Sequence, residues 1–303
     1  RLRLLAMLLC LPFLLIFISG CGSSSQKKDE PPVYSPLQVL VPEATGKETL
    51  GSSPMILDVS NISQGYFIAQ SDSSDLTCSL QIISPSGVLY SYFIAPGESA
   101  TVTFTEGSGD YTITGYQQVQ GDQYAALYSE TVTVQLENDF LPFLYPNQYV
   151  NFTPDSKASQ LALSLIDEDT VDVDALQQIY DYVVSNLTYD YEKADTVTTG
   201  YLPDVDETLK TGTGICFDYA ALTTAMLRSC DIPCKLQIGY AGDIKHAWID
   251  VYIRSKGWVN QAVSFKGDTW TLMDPTFDSN SDDKEAIQDY IGDESNYTVQ
   301  FTR

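Results

Sequence analysis

Histidine is nearly absent from this chain: one residue, His246, among 303. That count excludes any mechanism needing two imidazoles and any histidine-rich metal site. Basic residues are also scarce, 16 Lys and Arg against 40 Asp and Glu, for a formal net charge of −24. A nucleic-acid partner is therefore excluded, because such affinity rests on Lys and Arg displacing counterions from phosphates. Charged residues of both signs reach only 18%. In their place stand 44% hydrophobic residues and 20 Tyr, which excludes bulk disorder. The length allows two domains with buried cores.

A long apolar run occurs only at the start. Arg1 and Arg3 precede Leu4 to Ile18, which is broken by Pro12. The run has the length of a signal-peptide core and is short for a membrane span. Ile18-Ser19-Gly20-Cys21 resembles the lipobox of bacterial lipoproteins, which implies lipidation at Cys21; an ordinary secretory signal or anchor with a chance cysteine is the alternative. On the lipobox reading, 1–20 is a signal peptide and 21–50 a polar tether and linker. The protein is then exported and lipid-anchored on the outer face of the bacterial cell membrane. Acyl chains carry the anchoring, since an acidic body is repelled by anionic lipid. Cys78, Cys216, Cys230 and Cys234 remain in the body, at spacings that suggest neither a disulfide framework nor a zinc site. Cys230 and Cys234 flank Asp231-Ile232-Pro233 and read as buried small side chains, with a local disulfide as the alternative.

The body divides in two. From Met55 to Leu136 apolar residues alternate with threonine and other polar residues, as at Val102 and Phe104, Tyr111 and Ile113, and Val132, Val134 and Leu136. Turn signals at Pro85-Ser86-Gly87, Ala95-Pro96-Gly97, Gly107-Ser108-Gly109 and Gly121-Asp122 separate the runs. This predicts a small β-sandwich over 51–138. An apolar, proline-punctuated connector over 139–160, including Phe140 to Pro146, is expected to pack between the domains. The second domain, 161–303, opens with helical periodicity. Leu176, Ile179, Tyr180, Val183, Val184 and Leu187 share one apolar face, and Asp172 and Asp174 sit at the end the helix dipole favours for carboxylates.

The chemistry lies after residue 210. Thr211-Gly212-Thr213-Gly214-Ile215-Cys216 leads into a stretch with Leu222, Met226 and Leu227 at core spacing, so Cys216 opens a helix. There the dipole and free N–H groups favour thiolate and offer an oxyanion donor. Lys235 to Tyr240 reads as a strand, and His246 to Ile253 as the next, with His246, Trp248, Asp250 and Tyr252 on one face. A third strand from Thr269 to Met273 carries Asp274 at its end. Cysteine, histidine and aspartate in this order supply nucleophile, base and orienter for thiol acyl transfer. An imidazolium–thiolate pair over a broad mid-pH window is the expectation.

Gly212 to Ala220, Cys230 to Lys235, His246-Ala247-Trp248 and Asp274-Pro275-Thr276 together resemble the transglutaminase-like superfamily of papain-like thiol enzymes, over roughly 175–280. The family pattern falls on Cys216, His246 and Asp274. It implies an α+β fold, with the catalytic helix packed on an antiparallel sheet. It further implies attack of Cys216 on a peptide or side-chain amide and a cysteinyl thioester resolved by water (a peptidase) or by an amine (a transglutaminase). The Cys216 backbone N–H is one expected oxyanion donor; Tyr189 and Tyr191 are candidates for the second. No cofactor and no metal is expected: Asp278, Asn280 and Asp282 mimic a calcium loop, but Asp283 replaces its glycine and Asp289 its final glutamate. Expected partners are a cell-wall peptide or extracellular protein as substrate, and the membrane through the lipid. The alternative is an inert surface lipoprotein that binds or assembles through the β-sandwich.

Overall fold

The computed structural model describes residues 28–167, 169–266, 269–272 and 297–303. The period-two alternation becomes eight strands: β1 (Thr49–Ser52), β2 (Met55–Asp58), β3 (Tyr66–Ser71), β4 (Cys78–Ile83), β5 (Leu89–Ile94), β6 (Ser99–Thr103), β7 (Gly109–Gln120) and β8 (Gln123–Val134). They form two antiparallel sheets, β1-β2-β3-β6 and β5-β4-β7-β8. Their inner faces close on Met55, Leu57, Phe67, Leu80, Ile82, Ile113 and Val132, while the intervening polar side chains point outward. This is a β-sandwich.

The 31–50 segment differs from a free tether. Val39 is buried in the core of the second half, and Leu40 packs with Tyr66, Leu141, Leu144 and Tyr145. The Glu43 N–H donates to the Tyr66 hydroxyl at 3.0 Å. Its proline-rich, polar composition suggested a linker, but two adjacent apolar side chains suffice to fasten it across both halves. The connector is also packed: Phe140 meets the rings of Tyr252 and Trp258 at 4.5 and 6.1 Å, and Lys235 lies 3.9 Å from the Trp258 centroid.

The second half is α+β. Its elements are α1 (Lys157–Leu165), α2 (Asp172–Asn186), β9 (Thr188–Tyr189), α3 (Tyr191–Thr196), α4 (Val205–Thr211), β10 (Thr213–Gly214), α5 (Cys216–Ser229), β11 (Cys234–Ala241), β12 (Ile244–Ile253), β13 (Gly257–Lys266), β14 (Thr269–Leu272) and β15 (Tyr297–Thr302). α1 begins before residue 161, so the expected boundary cuts a helix. The apolar face of α2 is where the periodicity put it, with Leu176, Ile179, Val183 and Leu187 buried. Asp172 does more than favour the dipole. It pairs with the Arg254 guanidinium and accepts the Arg254 N–H, tying α2 to the end of β12.

Helix α5 is buried on nearly every side, from Asp218 through Ser229, and packs between the other helices and the sheet β14-β13-β12-β11-β15. All strand pairs in this sheet are antiparallel. The long stretch after Val259 is taken up by β13, which pairs with β14 from Val263 to Lys266. At the far end of α5, buried Arg228 donates to the carbonyls of Cys234, Tyr145 and Arg303, each at 2.8 Å. Burial lowers its pKa to about 10.

β15 joins the two halves. Its backbone pairs with β11, and Arg303 continues the ladder through reciprocal bonds with Leu236. The Arg303 side chain enters the sandwich, where the Tyr90, Tyr92 and Tyr149 rings lie at 4.7, 4.8 and 4.0 Å and the Tyr92 hydroxyl accepts from Nη1 at 2.8 Å.

Candidate active site

Cys216 is the first residue of α5. The preceding Ile215 is the N-cap, and its N–H donates to the Asp218 carboxylate at 2.8 Å in place of a side-chain cap. Gly212 closes α4 in the left-handed region (φ 64°), which glycine occupies without strain. Gly214 is glycine for another reason: a Cβ there would stand 2.7 Å from the Asp218 Cβ. Both glycines therefore serve the turn that delivers the thiol.

β10 pairs in parallel with β9, and the Asp190 N–H donates to the Gly214 carbonyl at 2.9 Å. This brings Tyr189 beside Cys216. The Cys216 backbone hydrogen-bonds the Tyr189 hydroxyl and lowers its pKa, as only a donating N–H would. Burial and the nearby thiol outweigh that bond and push Tyr189 up to about 12. Tyr191 packs edge-on against Tyr189 at 5.0 Å and is 59% exposed, one ring further out.

β12 approaches from the other side. Among the described residues its ladder with β13 begins at Ile249, so the backbone at Ala247 can meet the sulfur. The Ala247 N–H comes close enough to Cys216 to favour its thiolate. His246 is the next residue back, buried, with its ring stacked on Trp248 at 6.2 Å and 18°. Further along the same face Asp250 accepts from Gln237 Nε2 at 2.6 Å. Asp274, the expected orienter, lies outside the described residues, as do Cys21 and Asp278 to Asp289.

The electrostatics correct the expected ion pair. Burial raises the Cys216 thiol, with a further contribution from the Asp218 charge, and outweighs the Ala247 and Phe217 N–H groups. Burial lowers His246 to about 4. Thiol and imidazole are thus both neutral at mid pH. The helix dipole remains, but desolvation of a charged sulfur exceeds it. Cys230 and Cys234 are free, buried thiols pushed up to about 12 by burial, not a disulfide.

Sequence reasoning missed a network beside the thiol. Asp218 has no exposed side-chain surface. It accepts from Lys193 Nζ at 2.7 Å and from the Tyr201 hydroxyl. The Asp-Tyr pattern after Cys216 was visible, but its partners are 25 and 17 residues away in the chain. No cluster of three His, Cys, Asp or Glu able to hold a metal occurs among the described residues. No described helix is long and apolar enough to cross a membrane.

A cysteine opening a buried helix against an antiparallel sheet, one strand of which carries the chain's one histidine, has the layout of a cysteine-based enzyme. Residues 159–275 match the model of the transglutaminase-like superfamily and form a transglutaminase-like domain. A solved structure from Cytophaga hutchinsonii, designated a candidate cysteine protease, aligns over 84% of each chain at 17% identity and a TM-score of 0.36. Another, designated a candidate protease from Parabacteroides distasonis, aligns over 62% of this chain and 38% of its own at 14% identity and a TM-score of 0.29. No curated protein matches.

Proposed function

We propose that the protein transfers acyl groups from peptide or side-chain amides through a thioester on Cys216, with His246 as base and Asp274 as orienter. The observation that carries this reading is that Cys216 opens the buried helix α5 and that this helix packs on β12, the strand that carries the chain's one histidine. His246 takes the thiol proton as sulfur attacks the carbonyl carbon, and returns it to the leaving amine. Water then makes the protein a peptidase; an amine makes it a transglutaminase. The Cys216 N–H stabilises the oxyanion. Tyr189 now accepts that N–H, so the substrate oxygen displaces its hydroxyl, which is then placed to donate in turn. We further propose that the protein is exported, lipidated at Cys21, and acts at the outer face of a bacterial membrane on a cell-wall peptide or extracellular protein.

The second reading, an inert binding lipoprotein, draws support from the neutral state of both the half-buried Cys216 and the buried His246. One experiment separates the two. A peptide carrying an acyl electrophile should form a Cys216 adduct in the wild type and none in His246→Ala. Equal adduct formation in both would give the site to the binding reading.

A further inference from the structure

Charged and titratable groups from several elements gather at the start of α5: Asp218 two residues after Cys216 on the same helix, Lys193 of α3 and Tyr201 after α3 bonded to that carboxylate, and Tyr189 of β9 next to Cys216, while β12 with His246 packs against the helix. Among them Lys193 and Asp218 form a charge pair. The carboxylate has no exposed surface, while the lysine side chain is 29% exposed. Lys193 is fixed from three directions. Its N–H donates to the Asp190 cap at 2.9 Å, its Nζ donates to Asp218 and to the Tyr201 hydroxyl at 2.7 Å each, and Asp190 is itself bonded to Gly214. Such an arrangement is more than a surface contact, since a buried carboxylate needs a fixed counter-charge to stay ionised.

We infer that Lys193 and Asp218 are a positioning pair that sets the ionisation of Cys216 with opposed charges. The carboxylate, two residues along α5 from Cys216 and bonded to the N–H that immediately precedes it in the chain, opposes thiolate formation. The ammonium, held against that carboxylate, cancels much of its field in the low-dielectric interior. Removing one charge at a time must then displace the thiol in opposite directions. Lys193→Met leaves an uncompensated negative charge and raises the thiol pKa. Asp218→Asn removes the negative charge, keeps the ammonium, and lowers it. Damage to packing alone would move both variants the same way. The inference rests on the proposed function only in taking Cys216 as the nucleophile.

The test is the pH profile of Cys216 alkylation by iodoacetamide in the full chain, read by peptide mass mapping. The midpoint is the readout, because thiolate nucleophilicity itself changes with pKa. Lys193→Met should move the midpoint up by about one unit, and Asp218→Asn down by a similar amount. The double variant should return between them, which keeps the test open if one single variant folds poorly. Lys193→Arg, which keeps the charge, should restore the wild-type midpoint. Shifts of the same sign in both single variants, or no shift in either, overturn the pair's role while leaving the proposed function standing. A wild-type Cys216 no more reactive than Cys230 and Cys234 overturns both.

Discussion

Asp231 carries strain and a buried charge at one position. It follows the C-cap of α5 with φ 58°, a conformation costly for most side chains, and is 2% exposed. Burial pushes its pKa up to about 7, only partly opposed by the Tyr34 and Gln38 backbones and by Arg254. A folded pKa above the unfolded value means the folded state holds the proton longer. Stability from this group is therefore full below about pH 4 and lost as pH rises through about 7. Asp231→Asn, neutral and tolerant of the left-handed region, should gain about 1–3 kcal/mol at pH 8 and nothing at pH 4. Urea unfolding at both values checks this, and an equal gain at both would refute the electrostatic cause. Burial shifts the thiol in the same direction as Asp231 and the imidazole in the opposite one. With His246 lowered to about 4 and Cys216 raised, alkylation of the unliganded protein should be slow at pH 6 and climb only on the alkaline side. A plateau across pH 5–8 would show the charged pair instead.

At the scale of elements, Gly239 decides whether β15 can join the sheet. It pairs with His246 on one side and Val299 on the other, at a register shift, and a Cβ there would lie 1.9 Å from the Thr298 carbonyl oxygen. Gly239→Ala should cost about 1–3 kcal/mol and speed amide exchange across Tyr297–Thr302. Unchanged protection of those amides would show that the backbone yields without parting. The strands of the sandwich and α2 were legible in the sequence because one-sided burial stamps a period on them; α5, β11 and β12, buried more evenly, were legible from core-spaced Leu222, Met226 and Leu227 and from short apolar runs between turn signals, and Cys216 was placed by its glycines. α1 was not legible. The residues it buries are Ala158, Ser159 and Ala162, small side chains that let Ser159 reach Ser229 of α5 at 2.9 Å but leave no hydrophobic stripe. The strap at Val39 and Leu40 was hidden by its polar neighbours. Lys193 was hidden because a lone lysine forms no pattern until Asp218 is beside it.

In the whole molecule, Arg303 links sandwich, sheet and helix α5: side chain among Tyr90, Tyr92 and Tyr149, backbone on Leu236, carbonyl on Arg228. Arg303→Ala removes the cation from four rings, Phe301 being the fourth, at about 2 kcal/mol or more for a desolvated site. Calorimetry should then resolve two unfolding transitions where the wild type shows one, and a single transition in the variant would mean that the connector, the strap at Val39 and Leu40, and the Thr105–Thr302 bond couple the halves without that side chain. β15 also sets a schedule. Gln237 on β11 and its partner Thr302 are 65 residues apart, so a chain still being made exposes the outer edge of β11 until that interval has been synthesised. At roughly 5–20 residues per second the wait is roughly 3–13 seconds. Throughout it, one flank of the sheet that carries His246 is a bare strand open to any other nascent strand. Ribosome-stalled chains ending before Tyr297 should be cut by protease between Cys234 and Ala241, and chains released past Arg303 should not.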